Sequence, residues 1–121
     1  MRDRHADPLM GREDFGEVTV MRAAVPMLRS DETTQALFQH LNALVDEAGR
    51  SRLVLNFHGV GFISSMVIGK LVMLLHKVQR AGGRLALCKL ERPIFDLMQM
   101  THMDEIVPIY GDEQDAVRSF T

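Results

Sequence analysis

The stretch Leu53-Val54-Leu55-Asn56-Phe57-His58-Gly59-Val60-Gly61-Phe62-Ile63-Ser64-Ser65-Met66-Val67-Ile68-Gly69-Lys70-Leu71 decides how the chain is built. Leu53-Val54-Leu55 is a compact apolar run ending in Asn56. Because it is short and turn residues follow it, it predicts a buried parallel strand and not a helix. His58, Gly59 and Gly61 form a loop. Ser64 or Ser65 then caps a helix running to about Ala81, and Gly82-Gly83 terminates it. Strand, loop and helix in that order are the unit of an α/β layer.

The flanks repeat the unit. Upstream, Ala36, Leu37, Leu41, Leu44, Val45 and Ala48 recur at helical spacing, with Ser30 as the expected N-cap, Asp31 and Glu32 in the first turn and Gly49 as the stop. Before that helix, Phe15, Val18 and Val20 alternate with Glu17 and Thr19, so Phe15 to Arg22 predicts a strand. Ala23 to Leu28 either continues it or forms a short partner to it, and Pro26 favours an edge. Residues 1–14 mix charges with Pro8 and Gly11 and are read as an irregular leader or an irregular first strand. Downstream, Leu85-Ala86-Leu87-Cys88 is a second buried strand, and Pro93 opens a third helix with Ile94, Leu97 and Met98 on one face. Ile106-Val107-Pro108-Ile109 is a short final strand, and Asp112 opens a last helix bearing Ala116, Val117 and Phe120. The alternation predicts one α/β domain over residues 15–121. It has a single layer of mostly parallel strands with an antiparallel edge, and about four helices.

Composition narrows the function. The chain has 121 residues, 46% of them hydrophobic, enough for one core. Fourteen basic residues against sixteen acidic ones leave a formal charge of −2, which gives no footprint for nucleic acid or an anionic membrane. The one cysteine, Cys88, has no partner for a disulfide, which suits a reducing cytoplasm. The longest apolar-rich stretch, Met66 to Leu75, is interrupted by Gly69 and Lys70 and is too short to cross a bilayer. Partners are therefore expected to be proteins or small ligands, and the location cytoplasmic.

The second helix divides into two faces when its residues are placed about 100° apart. Val67, Ile68, Leu71, Leu75 and Val78 form the expected buried side, and Met66, Gly69, Lys70, Met73, Lys77 and Arg80 the outer stripe. Two readings of that stripe stand: an adaptable protein-binding ridge of methionines among cations, or ordinary surface apolar residues. Ser64 and Ser65 also carry two readings. One of them is a plain N-cap, worth about 1 kcal/mol. Alternatively, a phosphoryl group bringing roughly −1.5 to −2 charges is tolerated there by the free N–H groups and the macrodipole, and changes what a partner meets.

Taken together, the segments resemble the STAS domains of anti-sigma-factor antagonists. Leu53 to Leu71 is similar to that family's strand ending in Asp or Asn, its V-x-F loop and its D-S-S/T-G-L-G-x-L helix start. Ala81 to Cys88 resembles the G-G-x-L-x-L junction, and Met103 to Tyr110 the L-D-x-L-F-x-I-Y segment. Ile63 stands where the family commonly has Asp, and Met66 where it has a small residue. The resemblance implies phosphorylation of Ser64, with Ser65 as second choice, by a serine kinase that is also the anti-sigma factor, and reversal by a serine phosphatase. It implies a binding switch with no catalysis of its own, docking through Asn56, His58, Ile63, Ser64, Ser65, Met66, Gly69, Lys70 and Met73. Two alternatives remain within the family: an unphosphorylated scaffold subunit of a sensory complex, forming oligomers, and an accessory domain of a lipid or small-ligand transport system.

No other chemistry assembles. The histidines at positions 5, 40, 58, 76 and 102 have no metal-site spacing, and no nucleotide-binding or nucleophile-elbow motif is present. Neither metal nor cofactor is expected. Cys88, inside an apolar strand, reads as a small buried hydrophobe.

Overall fold

The computed structural model describes residues 10–121. Their elements run β1 (Met10–Phe15), β2 (Val18–Ala23), β3 (Met27–Leu28), α1 (Glu32–Asp46), β4 (Arg52–Asn56), β5 (Phe62–Ile63), α2 (Ser65–Arg80), β6 (Arg84–Cys88), α3 (Arg92–Met100), β7 (Ile109–Tyr110) and α4 (Glu113–Arg118), with a 3-10 turn at Met103–Glu105. The main sheet has the order β1-β2-β4-β6-β7. Only the β1–β2 edge pair is antiparallel; β2–β4, β4–β6 and β6–β7 are parallel. The expected mixed layer with four helices is thus the observed one.

Period-two alternation builds a core on each face of the sheet. Met21, Leu53, Leu55, Leu85 and Leu87 point to the larger core, where Leu37, Phe38 and Leu41 of α1, Val67, Leu71 and Leu74 of α2, and Ile94 and Met98 of α3 meet them. Val18, Val20, Val54, Ala86 and Cys88 point to the other side and are covered by Ala116, Val117 and Phe120. Three helices therefore lie on one face and α4 on the other.

Four expectations are corrected. Phe15 to Arg22 is not one strand but spans the turn of a hairpin: β1 ends at Phe15, Gly16-Glu17 reverse the chain with Gly16 at φ +63°, and Val18 to Arg22 lies in β2, Phe15 pairing with Val18. The sheet thus starts at Met10, within the segment read as an irregular leader or an irregular first strand, while residues 1–9 lie outside the described residues. The cap of α1 is Asp31 and not Ser30, its carboxylate accepting the Thr34 N–H at 3.0 Å. Ala36 and Ala48 are exposed, and Phe38 takes the core position on α1. Finally, Ala23 to Leu28 leaves the main sheet: β3 pairs in parallel with β5 as a separate two-stranded clip, Met27 opposite Phe62 and Leu28 opposite Ile63.

Candidate functional site

In a parallel sheet all C-terminal strand ends open at one pole, where loops gather chemistry. Here β2 ends near Arg22, β4 at Asn56 and β6 just before Lys89, and Glu113 stands in the first turn of α4. With Ala23 and His58 these residues line a cleft of about 520 Å³. The Arg22 guanidinium donates to both Glu113 carboxylate oxygens, from Nε at 2.8 Å and Nη2 at 2.6 Å, and Nη2 also donates to Glu13 at 2.9 Å. Asn56 Nδ2 donates to Glu113 Oε1 at 2.8 Å, and Asn56 Oδ1 accepts the His58 backbone N–H at 2.8 Å. The Arg22 hydrogen bonds outweigh burial and hold the Glu113 carboxyl below its ordinary range, with Asn56 adding to them. Arg22 is held the more firmly protonated. This relay runs from α4 through the end of β4 to the first turn of the loop that carries the serines.

The loop is then laced to the β3 segment. Gly61 N–H donates to the Pro26 carbonyl at 2.8 Å and Ser64 N–H to the Leu28 carbonyl at 2.8 Å. Ser64 is the N-cap residue of α2 in extended conformation, φ −83° and ψ 162°, and its carbonyl accepts the Val67 N–H at 3.0 Å. Its side chain does not cap the helix: Oγ is shut from solvent and has no hydrogen-bond partner. Ser65, the first helical residue, is exposed.

The other expected site residues divide by depth. His58, Gly69 and Met73 are exposed, Met73 at 70%. Met66 and Lys70 are half-buried, the Lys70 ammonium lying 5.9 Å from the Phe38 ring centre. Asn56 and Ile63 are buried, the first in the relay and the second in the larger core, so their side chains support the surface from below. Two members of the relay, Arg22 and Glu113, escaped the reading of the sequence, although a cation closing a buried strand and an acid in a helix's first turn were visible signals. Cys88 sits beneath this pole; burial, then the Glu113 carboxylate, pushes its thiol up to about 12. Among the described residues no group of His, Cys, Asp or Glu is arranged to hold a metal ion, and no helix is long and apolar enough to cross a membrane.

The family model for the STAS domain matches residues 15–116. The chain belongs to the STAS domain family. A curated relative, an anti-sigma F factor antagonist of Paenibacillus polymyxa, is 29% identical over 77 residues, 60% of this chain and 66% of that relative's length. Among solved structures, an anti-sigma-factor antagonist (STAS) domain protein of Planctomyces limnophilus superposes with TM-score 0.80 at 24% identity, covering 91% of this chain and 96% of that one. The Bacillus cell fate determinant SpoIIAA in its phosphorylated form superposes with TM-score 0.72 at 14% identity, covering 93% and 99%. The family match places the STAS fold on residues 15–116, the serine loop among them.

Proposed function

We propose that this STAS domain is an anti-sigma-factor antagonist: a cytoplasmic protein-binding switch without catalysis of its own, set by serine phosphorylation at the N-terminus of α2. The reading rests on the serine pair at that helix end, on a loop held by a dedicated hydrogen-bond relay. A STAS fold solved in a phosphorylated form and a relative named as an antagonist support it. Ser64 is the acceptor and Ser65 the second choice. The kinase transfers the γ-phosphoryl group of ATP: a bond forms from Oγ to phosphorus, the bond to the β–γ bridging oxygen breaks, ADP leaves, and the Oγ proton passes to a kinase base. A dianion at this end of α2 is favoured by the helix dipole but adds charge and bulk next to Ser65, at the start of the exposed strip Ser65, Gly69 and Met73 offered to the anti-sigma factor. A serine phosphatase resets the surface.

Incubation with the cognate anti-sigma kinase and ATP is expected to add one phosphate to the wild type and none to Ser64→Ala. An unchanged wild-type mass, or a phosphate retained in the variant, removes Ser64 as the acceptor. A scaffold role without phosphorylation is favoured by one feature, the enclosure of Ser64 Oγ. Sedimentation separates the two, since a scaffold subunit assembles at working concentration and the switch does not need to.

A further inference from the structure

We propose that the β3–β5 clip is a gate over the phosphoacceptor, so that Ser64 reacts only when the clip opens, whereas the Ser65 side chain, which is not the acceptor, is accessible in the closed state. The inference rests on Ser64 being the acceptor and adds how it is regulated. Phosphoryl transfer needs the nucleophilic oxygen about 3–3.5 Å from phosphorus and in line with the leaving oxygen. Ser64 Oγ has no solvent-exposed surface from which that approach can be made, while Ser65 one residue later is exposed.

The segment that carries Ser64 is fastened to β3 and to the core. Leu28 and Ile63, paired across the clip, are both anchored in the larger core. Gly61 N–H on Pro26 O and Ser64 N–H on Leu28 O, both at 2.8 Å, tie down the two sides of the loop. The clip is nonetheless the smallest sheet among the described residues, two residues per strand, and its other pair, Met27 and Phe62, is 43% and 44% exposed. A unit held by so few bonds, separate from the main sheet, opens at lower cost than the domain unfolds. Opening releases β5 and the Ser64 amide together. The α2 turn can persist, because its Val67 N–H bond to Ser64 O is local. A partner able to hold Met27 and Phe62 apart would expose the acceptor, which makes phosphorylation depend on recognition of the clip and not only on the serine.

Thiol labelling tests the gate without a kinase. In a Cys88→Ala background, S64C and S65C are treated with iodoacetamide and followed by intact mass. S65C is expected to react at the rate of the denatured chain and S64C about tenfold slower or more. Gly61→Pro, which deletes the donor to Pro26, and separately Leu28→Ala, which withdraws a core anchor, should speed labelling of S64C and leave S65C unchanged. Equal rates for S64C and S65C overturn the gate, because a side-chain rotation would then suffice. Acceleration that merely tracks global unfolding, measured in parallel by urea denaturation, overturns it too. Absence of phosphate on both serines after kinase treatment removes the phosphorylation reading instead, a result distinct from either labelling outcome.

Discussion

Gly83 stands where the chain leaves α2 and enters β6, against the start of β4. A Cβ there would lie 1.9 Å from the Ser51 carbonyl oxygen and 2.5 Å from its carbon, and the same carbonyl accepts the Arg84 N–H at 2.8 Å. Neither backbone can retreat without breaking that bond. Gly69, by contrast, is exposed in the middle of α2 with open space around its Cβ position. Gly83→Ala is therefore expected to destabilise by about 1–3 kcal/mol, and Gly69→Ala to stabilise by about 0.5–1 kcal/mol, in urea unfolding at equilibrium. Midpoints that move the same way would refute the assignment. The sequence shows Gly82-Gly83 as a helix stop, but the pair divides the work. Gly82 turns the chain at φ +77°, and Gly83 permits a close approach whose other wall lies some thirty residues away. Only the former was legible locally.

At the scale of the element, α2 joins the site to the core. Leu74 is fully buried and its neighbour Met73 is 70% exposed, so adjacent apolar residues serve opposite faces. Leu74→Ala should cost about 2–5 kcal/mol, and Met73→Ala should stay within about 0.5 kcal/mol, by the same urea midpoints. If Met73 belongs to the docking strip, its variant weakens anti-sigma-factor binding at unchanged stability. The two-faced pattern of this helix, the strands β4 and β6 and the Asp112 cap of α4 were readable because each is written in local sequence, whereas the serine expected to cap α2 holds only the N-cap position and makes no side-chain cap. What was hidden had its pattern masked by partners. β1 reads only as an irregular leader or an irregular first strand because its charges mask the period: Glu13 is paired by Arg22 of β2, and Asp14 by Arg12 on the same strand and by Arg50. β3 and β5, at two residues each, are too short for any period. The site shows the same division: the serine pair and the strand-ending Asn56 stand out in the sequence, whereas Arg22 and Glu113 are 91 residues apart and acquire meaning only when the fold joins them.

For the whole molecule, that pair ties the antiparallel edge to the helix on the far face and, through Asn56, to the serine loop. Its stability should depend on pH with a definite sign. The Glu113 carboxyl is held below its ordinary value of 4.5 chiefly by Arg22, against the opposing effect of burial. The unfolded chain therefore takes up this proton first. The contribution is complete above about pH 4.5, where both states are ionised, and is lost as pH falls through the lower value of the folded protein. Asp14 acts in the same direction: burial opposes its ionisation, but hydrogen bonds from Arg12 and Thr19 prevail. Glu113→Gln should consequently cost about 1 kcal/mol at neutral pH, below the usual range of about 1.5–3 kcal/mol for a bond to a charged group, because the Arg22 side chain is 39% exposed and solvent screens the pair. The variant should also flatten, without abolishing, the decline of the urea midpoint below about pH 4.5, since Asp14 remains. Curves for wild type and variant that stay parallel down to pH 3 would show that Arg22 does not favour the ionised form. Because Asn56 holds the His58 N–H while donating to the same carboxylate, hydrogen exchange at His58 is expected to rise in Glu113→Gln more than at Leu53 in the centre of the sheet. Uniform change at both amides would mean that α4 steadies the fold without positioning the loop.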